Sequence, residues 1–119
     1  MKQLKVFILA LLLPAVLLPA CTDNIEPPEE LLDQKTMVEV MVEIHIAESK
    51  INEMRGGQEK KNLLFDAYEK EIFVKNGIDS TTYRQSYDFY MNDLETMTDI
   101  YEQVVDSLNQ LQIDVNQDK

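Results

Sequence analysis

The sequence predicts an all-α protein, a small bundle of about four helices that follows an N-terminal lipoprotein signal peptide. Two long segments carry apolar residues at alternating spacings of three and four, which places those residues on one face of a helix. Gly56-Gly57 and Asn76-Gly77 separate helical segments, because glycine commonly ends a helix. The alternating pattern of residues 39–46 lies inside a longer helical pattern, so it does not indicate a strand.

The first 20 residues have the layout of a signal peptide. Lys2 and Lys5 form a positive segment, and the apolar run Val6–Leu13 follows it. A membrane span needs about 20 apolar residues, so this run is short for one. Residues 18–21 read Leu-Pro-Ala-Cys, the pattern of a lipobox, and Cys21 is the only cysteine. We therefore predict cleavage before Cys21 and lipidation of its sulfur with acyl chains such as palmitate. The alternatives are an uncleaved anchor or an ordinary signal peptide with an incidental cysteine.

Residues 21–28 form the predicted lipidated cysteine and an acidic, proline-containing linker. Pro27-Pro28 favours polyproline II at about 3.1 Å per residue, so the linker spans roughly 20 Å. Thr22 stands where aspartate would be an inner-membrane retention signal, which favours the outer membrane. The acidic residues here form either a surface-export tag or a solvated spacer: Asp23, Glu26, Glu29 and Glu30. We expect a lipid-anchored protein of the cell envelope, at the periplasmic face of the outer membrane or at the cell surface.

Residues 29–113 are predicted to form the helical domain, and the tail Asp114–Lys119 is expected to fray. Asp33 can cap the first helix, and Gly56-Gly57 ends it. Its apolar seam consists of Met37, Val40, Ile44, Ala47, Ile51 and Met54. Such a rhythm is typical of helices that cross at about 20°, so we expect the first and last helices to pack nearly antiparallel.

Three further helices follow in the pattern. The second is predicted over Gln58–Lys75, and the third, residues 80–91, is capped by Asp79 or Ser80. Residues 92–95, Asn-Asp-Leu-Glu, have the form of a capping box whose first residue is the N-cap of a fourth helix. The seam of the fourth helix consists of Leu94, Met97, Tyr101, Val104, Leu108 and Leu111.

The charge of the chain excludes some classes of partner. The chain carries 11 basic and 22 acidic residues, and the loss of Lys2 and Lys5 on cleavage would change the net charge from −11 to −13. Nucleic-acid binding depends on lysine and arginine contacts to phosphate, so we expect no nucleic-acid partner. Acidity favours a basic or divalent-bridged partner. A single cysteine allows no intramolecular disulfide and no multi-cysteine zinc site.

Polar side chains interrupt the apolar faces of two helices. They fall within reach of one another at helical spacing: His45, Glu48 and Asn52 on the first helix, and Tyr83, Ser86, Tyr87 and Tyr90 on the third. One interpretation is a polar pocket, with Glu48 as general acid or base and His45 as its partner. The other is a buried, hydrogen-bonded network that fixes the register of the helices, and this is the commoner arrangement. One histidine and one glutamate are too few for a metal site, so we expect no metal and no cofactor.

Several short segments resemble one known family. These segments are Met37–Glu48 (MVEVMVEIHIAE), the turn Asn76-Gly77-Ile78, the block Tyr83–Tyr90 (YRQSYDFY), and Ile100-Tyr101 followed by Val104 and Leu108. In this order they resemble domain-of-unknown-function family 4296, which consists of small lipoproteins of the Bacteroidetes. The resemblance implies a Gram-negative cell envelope and an all-helical domain. It implies no activity, because the family has none assigned.

Three functional hypotheses follow from the sequence. The main one is an accessory or scaffold lipoprotein, attached to the membrane by its lipid, that contacts another envelope protein. The alternative is a module that binds a small ligand or a glycan through the tyrosine-rich helix face, and a buried face without a pocket would contradict it. The third is an enzyme built on His45 and Glu48, which requires the pair to line a solvent-open cleft. No nucleophile is visible beside that pair, so we predict that the protein is not an enzyme.

Overall fold

The computed structural model describes residues 25–117 of the chain. The predicted signal peptide, residues 1–20, and the predicted lipidation site Cys21 lie outside these residues. The described part forms four helices and no strand, which confirms the all-α prediction: α1 (Gln34–Glu53), α2 (Gln58–Asn76), α3 (Ser80–Met91) and α4 (Leu94–Gln117). None of these helices combines the length and apolarity that a membrane span requires.

Local hydrogen bonds set the starts of α1 and α3. The Asp33 side chain accepts from the Thr36 N–H at 2.7 Å, and the Asp79 side chain accepts from the Thr82 N–H at 2.8 Å. Both aspartates therefore satisfy N–H groups that the first helical turn leaves free. The same backbone hydrogen bonds lower the pKa of each carboxyl below its ordinary value, because they favour the charged form.

The α2 helix ends at Gly77, in agreement with the sequence. Gly77 has φ 67° and ψ 28°, which is the left-handed region where a side chain would be strained. The N–H of Gly77 donates to the Val74 carbonyl at 3.1 Å, and the N–H of Ile78 donates to the Phe73 carbonyl at 3.0 Å. This closing pattern satisfies carbonyls of the last helical turn and turns the chain toward α3.

The predicted capping box at the start of α4 was wrong by one residue. Asn92 ends α3, and its side-chain N–H donates to the Asp88 carbonyl at 2.6 Å. Asp93 accepts instead, from the Thr96 N–H at 3.2 Å and from the Thr96 hydroxyl at 2.7 Å. Two capping residues stand side by side here, and only the geometry of the preceding helix decides which of them faces α4.

The α4 helix also continues further than the sequence indicated. It runs to Gln117, so residues 114–117, which were expected to fray, are helical. Every side chain from Asn109 to Gln117 is exposed. The last turns of α4 therefore have no buried side chain to anchor them.

The α1 helix packs against each of the other three helices. One core cluster joins α1 to α3 and α4: Met37, Val38, Met41, Tyr90, Met97, Ile100 and Val104. A second cluster joins α1 to α2: Val40, Ala47, Ile72 and Phe73. Because α1 has neighbours on more than one side, Val38 and Met41 are buried in addition to most of its predicted seam. Met54, the last residue of that seam, is 43% exposed because α1 ends before it.

Only the middle of the α4 seam is buried. Met97 and Val104 are buried as predicted, and Ile100, which the predicted seam omits, has no exposed surface. Leu94 and Leu111, at the two ends of the seam, are 75% and 45% exposed. The 3–4 rhythm therefore identifies the core face of α4, but it does not show where neighbouring helices cease to cover it.

Candidate functional site

A row of buried polar side chains on α3 holds the segment that precedes α1. Thr82, Ser86 and Tyr90 follow one another at intervals of four residues, and none is more than 9% exposed. Ser86 Oγ accepts from the Leu32 N–H at 3.0 Å, and the Tyr90 hydroxyl donates to the Leu32 carbonyl at 2.7 Å. The Thr82 hydroxyl lies 3.1 Å from Asp79 Oδ2 and 3.3 Å from a Glu30 carboxylate oxygen, so these two acceptors share its proton. This row, which we name the α3 clamp, fixes the point at which the N-terminal linker leaves the bundle.

The α3 clamp corrects the predicted polar network. Ser86 and Tyr90 bind the backbone of Leu32, so they are not partners of Glu48. Asn52 is exposed, and its contact is a backbone one, in which its carbonyl accepts from Lys61 Nζ at 3.0 Å. The seven predicted residues thus separate into three places, because residues on one helix face can contact different neighbours along its length.

The remaining predicted residues meet in a cleft of about 380 Å³ that opens between all four helices. We name it the tyrosine cleft. Its lining comprises Met41, Ile44, His45 and Glu48 from α1, Phe65 and Glu69 from α2, Tyr83, Arg84, Tyr87 and Asp88 from α3, and Tyr101 from α4. The volume falls within the range of about 300–1,000 Å³ that is usual for small-molecule sites.

His45 and Glu48 form a contact in this cleft, but the contact is not buried. His45 Nδ1 lies 3.2 Å from Glu48 Oε2, and the two side chains are 41% and 46% exposed. The prediction of a buried network is therefore wrong for this pair. A helical wheel assigns both residues to the apolar arc of α1, but the neighbouring helices leave a gap there and water reaches them.

Three tyrosines form one wall of the cleft. The Tyr87 and Tyr101 hydroxyls lie 3.0 Å apart, and the Tyr83 and Tyr87 ring centroids are separated by 6.2 Å. The hydrogen bond with Tyr87 and then burial raise the pKa of Tyr101 to about 12. Burial above all raises the pKa of Tyr83, and the nearby Tyr87, Tyr101, Glu69 and Glu48 raise it further. The raised pKa values keep the Tyr83 and Tyr101 phenols neutral at physiological pH, so both act as hydrogen-bonding groups.

Sequence reasoning placed Tyr101 in the α4 seam and missed it as a site residue. Tyr101 is 38% exposed, and its hydroxyl reaches across to α3. A signal was present, because Tyr101 is the only aromatic residue of α4. A hydroxyl-bearing ring in an otherwise aliphatic seam needs a polar partner or water.

The cleft brings charged and hydrogen-bonding side chains together, and the His45–Glu48 pair faces solvent in it. Its charged side chains are three carboxylates, Glu48, Glu69 and Asp88, and one guanidinium, Arg84, with His45 beside Glu48. The residues that line it include no serine, threonine or cysteine, and its groups of nucleophilic type are carboxylates, tyrosines and His45. Within residues 25–117 no three histidine, cysteine, aspartate or glutamate side chains are grouped as metal ligands.

A second feature is a shallow groove of about 520 Å³ along α4, which we name the α4 groove. Four of its five apolar residues are well exposed, and only Met97 is buried: Leu94 is 75% exposed, Val105 52%, Met91 44% and Tyr101 38%. Glu102 and Asp106 lie at its border. Throughout its length α4 carries five acidic residues and no basic one: Glu95, Asp99, Glu102, Asp106 and Asp114.

Comparison with known proteins identifies one family. Residues 28–114 match the profile of a family described as Domain of unknown function (DUF4296). No curated protein and no solved structure gives a significant match.

Proposed function

The chain belongs to the DUF4296 family, and from this premise we propose that it is a lipid-anchored accessory or scaffold protein of the cell envelope that contacts another envelope protein. The tether rests on the lipobox Leu18–Cys21 and the signal-peptide layout of the residues before it. The contact rests on a single observation, the exposed apolar α4 groove with its acidic border. We take the outer membrane as the location, because Thr22 follows the cysteine.

The α4 groove restricts the chemistry of the partner. Leu94 and Val105 are large apolar side chains, and they are 75% and 52% exposed, respectively. Such a patch, bordered by charge, is typical of a surface that another protein covers. Since α4 has acidic residues and no basic one, we infer a partner segment that is amphipathic and basic.

A second copy of this chain does not fit the groove equally well. Two α4 helices in contact would bring acidic side chains against acidic side chains, and each cleaved chain would already carry a net charge of −13. Like charges close together in an interface destabilise it. A basic partner instead gains both the apolar contact and the attraction.

Site-directed photo-crosslinking in intact membranes tests this proposal. A benzoylphenylalanine at Val105 is expected to give one partner adduct, and the same probe at Val74 is the control. Val74 is also a valine and is 73% exposed, but it lies on α2. The adduct is expected to weaken in high salt and in an Asp106→Lys variant, because both remove the attraction.

The identity of the cross-linked peptide decides the outcome. Mass spectrometry is expected to find lysine or arginine at helical spacing around the attached residue of an envelope protein. Free monomer alone at Val105, equal adducts at Val74, or an adduct to a second copy of this chain would contradict the proposal.

The tether has its own test. Growth with a labelled fatty acid is expected to label the wild-type protein and a Thr22→Ser control, but not Cys21→Ser, which has no sulfur to carry the diacylglyceryl group. The mature wild-type protein is expected to lack residues 1–20. Labelling of Cys21→Ser, or an intact N terminus in the wild-type protein, would contradict lipidation at this position.

The tyrosine cleft favours a second candidate function, the binding of a small ligand or glycan. The supporting observation is that Tyr83, Tyr87 and Tyr101 line an open cleft of about 380 Å³. A buried tyrosine face without a pocket would have contradicted this candidate. It is compatible with the first, because the cleft and the α4 groove share only Tyr101.

A further inference from the structure

Aromatic side chains from three helices line the tyrosine cleft. Tyr83 and Tyr87 come from α3, Tyr101 from α4 and Phe65 from α2. The Tyr83 ring is supported from behind by Phe73, with ring centroids 5.1 Å apart. Aromatic rings, including that of tyrosine, attract cations to their faces, because the quadrupole of the ring makes each face partially negative.

The charged side chains of the cleft also favour a cation. Glu48 on α1, Glu69 on α2 and Asp88 on α3 approach it from three helices, whereas Arg84 is its one guanidinium. His45 is in contact with Glu48 and so is already opposite a carboxylate. The potential inside the cleft is therefore negative, and the net charge of −11 adds to it.

We propose that the tyrosine cleft binds a small organic cation of the alkylammonium class, which the aromatic walls surround and the three carboxylates neutralise. This inference rests on the second candidate function and names its ligand chemistry. A neutral sugar would use the aromatic walls equally well, but it would leave the excess of carboxylates over the single guanidinium, three against one, without compensation. The surplus of carboxylates is what favours the cation over the sugar.

Matched pairs of probes separate charge from shape. Choline is compared with 3,3-dimethyl-1-butanol, which has nearly the same shape and no charge, and 1,4-diaminobutane is compared with 1,4-butanediol. Methyl glucoside serves as the sugar. Binding to the full-length protein in detergent is followed by tyrosine emission, because the chain has five tyrosines and no tryptophan. Calorimetry gives the affinities.

At least one cation is expected to bind about ten-fold more tightly than its neutral partner, and added salt is expected to weaken it. Glu69→Gln is expected to weaken the bound cation about three- to ten-fold, and Tyr87→Leu by a similar factor. The control Glu53→Gln lies at the end of α1, outside the cleft, and is expected to leave the affinity unchanged.

The outcomes separate this inference from the function on which it rests. If the glucoside binds and neither cation exceeds its neutral partner, the cleft binds ligands but the assignment of an organic cation is wrong. If none of the five probes binds, both the inference and the ligand-binding candidate are contradicted. Equal weakening by Glu53→Gln and Glu69→Gln would show attraction to the whole acidic domain rather than binding in the cleft.

Discussion

The α3 clamp is expected to contribute measurably to the stability of the domain. Ser86 has no exposed surface and Tyr90 is 6% exposed, and both bind the backbone of Leu32. Burial raises the pKa of Tyr90, so its hydroxyl remains a hydrogen-bond donor. Removal of either side-chain group leaves one polar group of Leu32 without its partner inside a packed surface.

The expected magnitude follows from the geometry. A hydrogen bond of this kind contributes about 0.5–1.5 kcal/mol net, and an unsatisfied buried group costs about 1–3 kcal/mol. Leu32 is half-buried, so water compensates in part, and we expect a loss of about 1 kcal/mol for Ser86→Ala and about 1 kcal/mol for Tyr90→Phe. Because the two contacts hold one residue, the double variant is expected to lose about 0.5 kcal/mol less than the sum.

Urea denaturation followed by circular dichroism gives the free energies of unfolding, and hydrogen exchange of the Leu32 amide reports the local contact. Ser107→Ala and Tyr68→Phe are the matched controls. The Ser107 hydroxyl bonds only within α4, to the Gln103 carbonyl at 2.8 Å, and Tyr68 is 41% exposed. Both controls are expected to stay within about 0.5 kcal/mol of the wild type. Clamp variants that match these controls, with unchanged exchange at Leu32, would refute the reasoning.

Three further perturbations test the fold. Gly77→Ala is expected to lower the free energy of unfolding by about 1 kcal/mol, because φ is 67° there. Gly57→Ala, at φ −72° and at the N-cap of α2, has no such strain and is expected to lose less; thermal denaturation compares them, and equal effects would contradict the assigned C-cap. The folded-state pKa of Asp79 lies below its ordinary value of 3.8, so the stability that the carboxylate contributes is complete above pH 3.8 and is lost as the pH falls through the lower folded pKa. Asp79→Asn, which can still cap the helix, is expected to lose less stability than the wild type when urea unfolding is repeated at acid pH, and the same pH profile for both proteins would contradict this. Ile100→Ala is expected to lower the free energy of unfolding in urea by about 2–5 kcal/mol, because Ile100 is buried. Val105→Ala is expected to lower it by less than about 0.5 kcal/mol, because Val105 is exposed, and similar losses for the two variants would contradict the assigned core face of α4.

Local signals in the sequence located most of the fold. Asp33, Asp79 and the glycine at 77 act through hydrogen bonds to residues next to them in the chain, so their roles can be inferred from neighbours alone. The start of α4 shows the limit of this approach. Asn92 and Asp93 are both good caps, and the end of α3 decides between them.

The candidate site was predicted only in part, for a physical reason. Periodicity correctly put His45 within reach of Glu48, because their separation is fixed by one helix. It could not show that the pair faces water, since exposure depends on the distance to other helices. It also could not join Tyr101 to Tyr87, which lie on different helices and meet only through packing.

The sequence by itself determined the helical class, the caps at Asp33, Asp79 and Gly77, the acidic charge and the Leu-Pro-Ala-Cys pattern that predicts lipidation of Cys21, because each depends on neighbouring residues or on composition. The tertiary structure alone decided that α1 lies between the other helices, that Ser86 and Tyr90 hold Leu32, and that a cleft opens beside His45. These features depend on how far apart helices lie after packing. Periodicity assigns a face to each helix, whereas the spaces between helices arise only when all four faces are brought together.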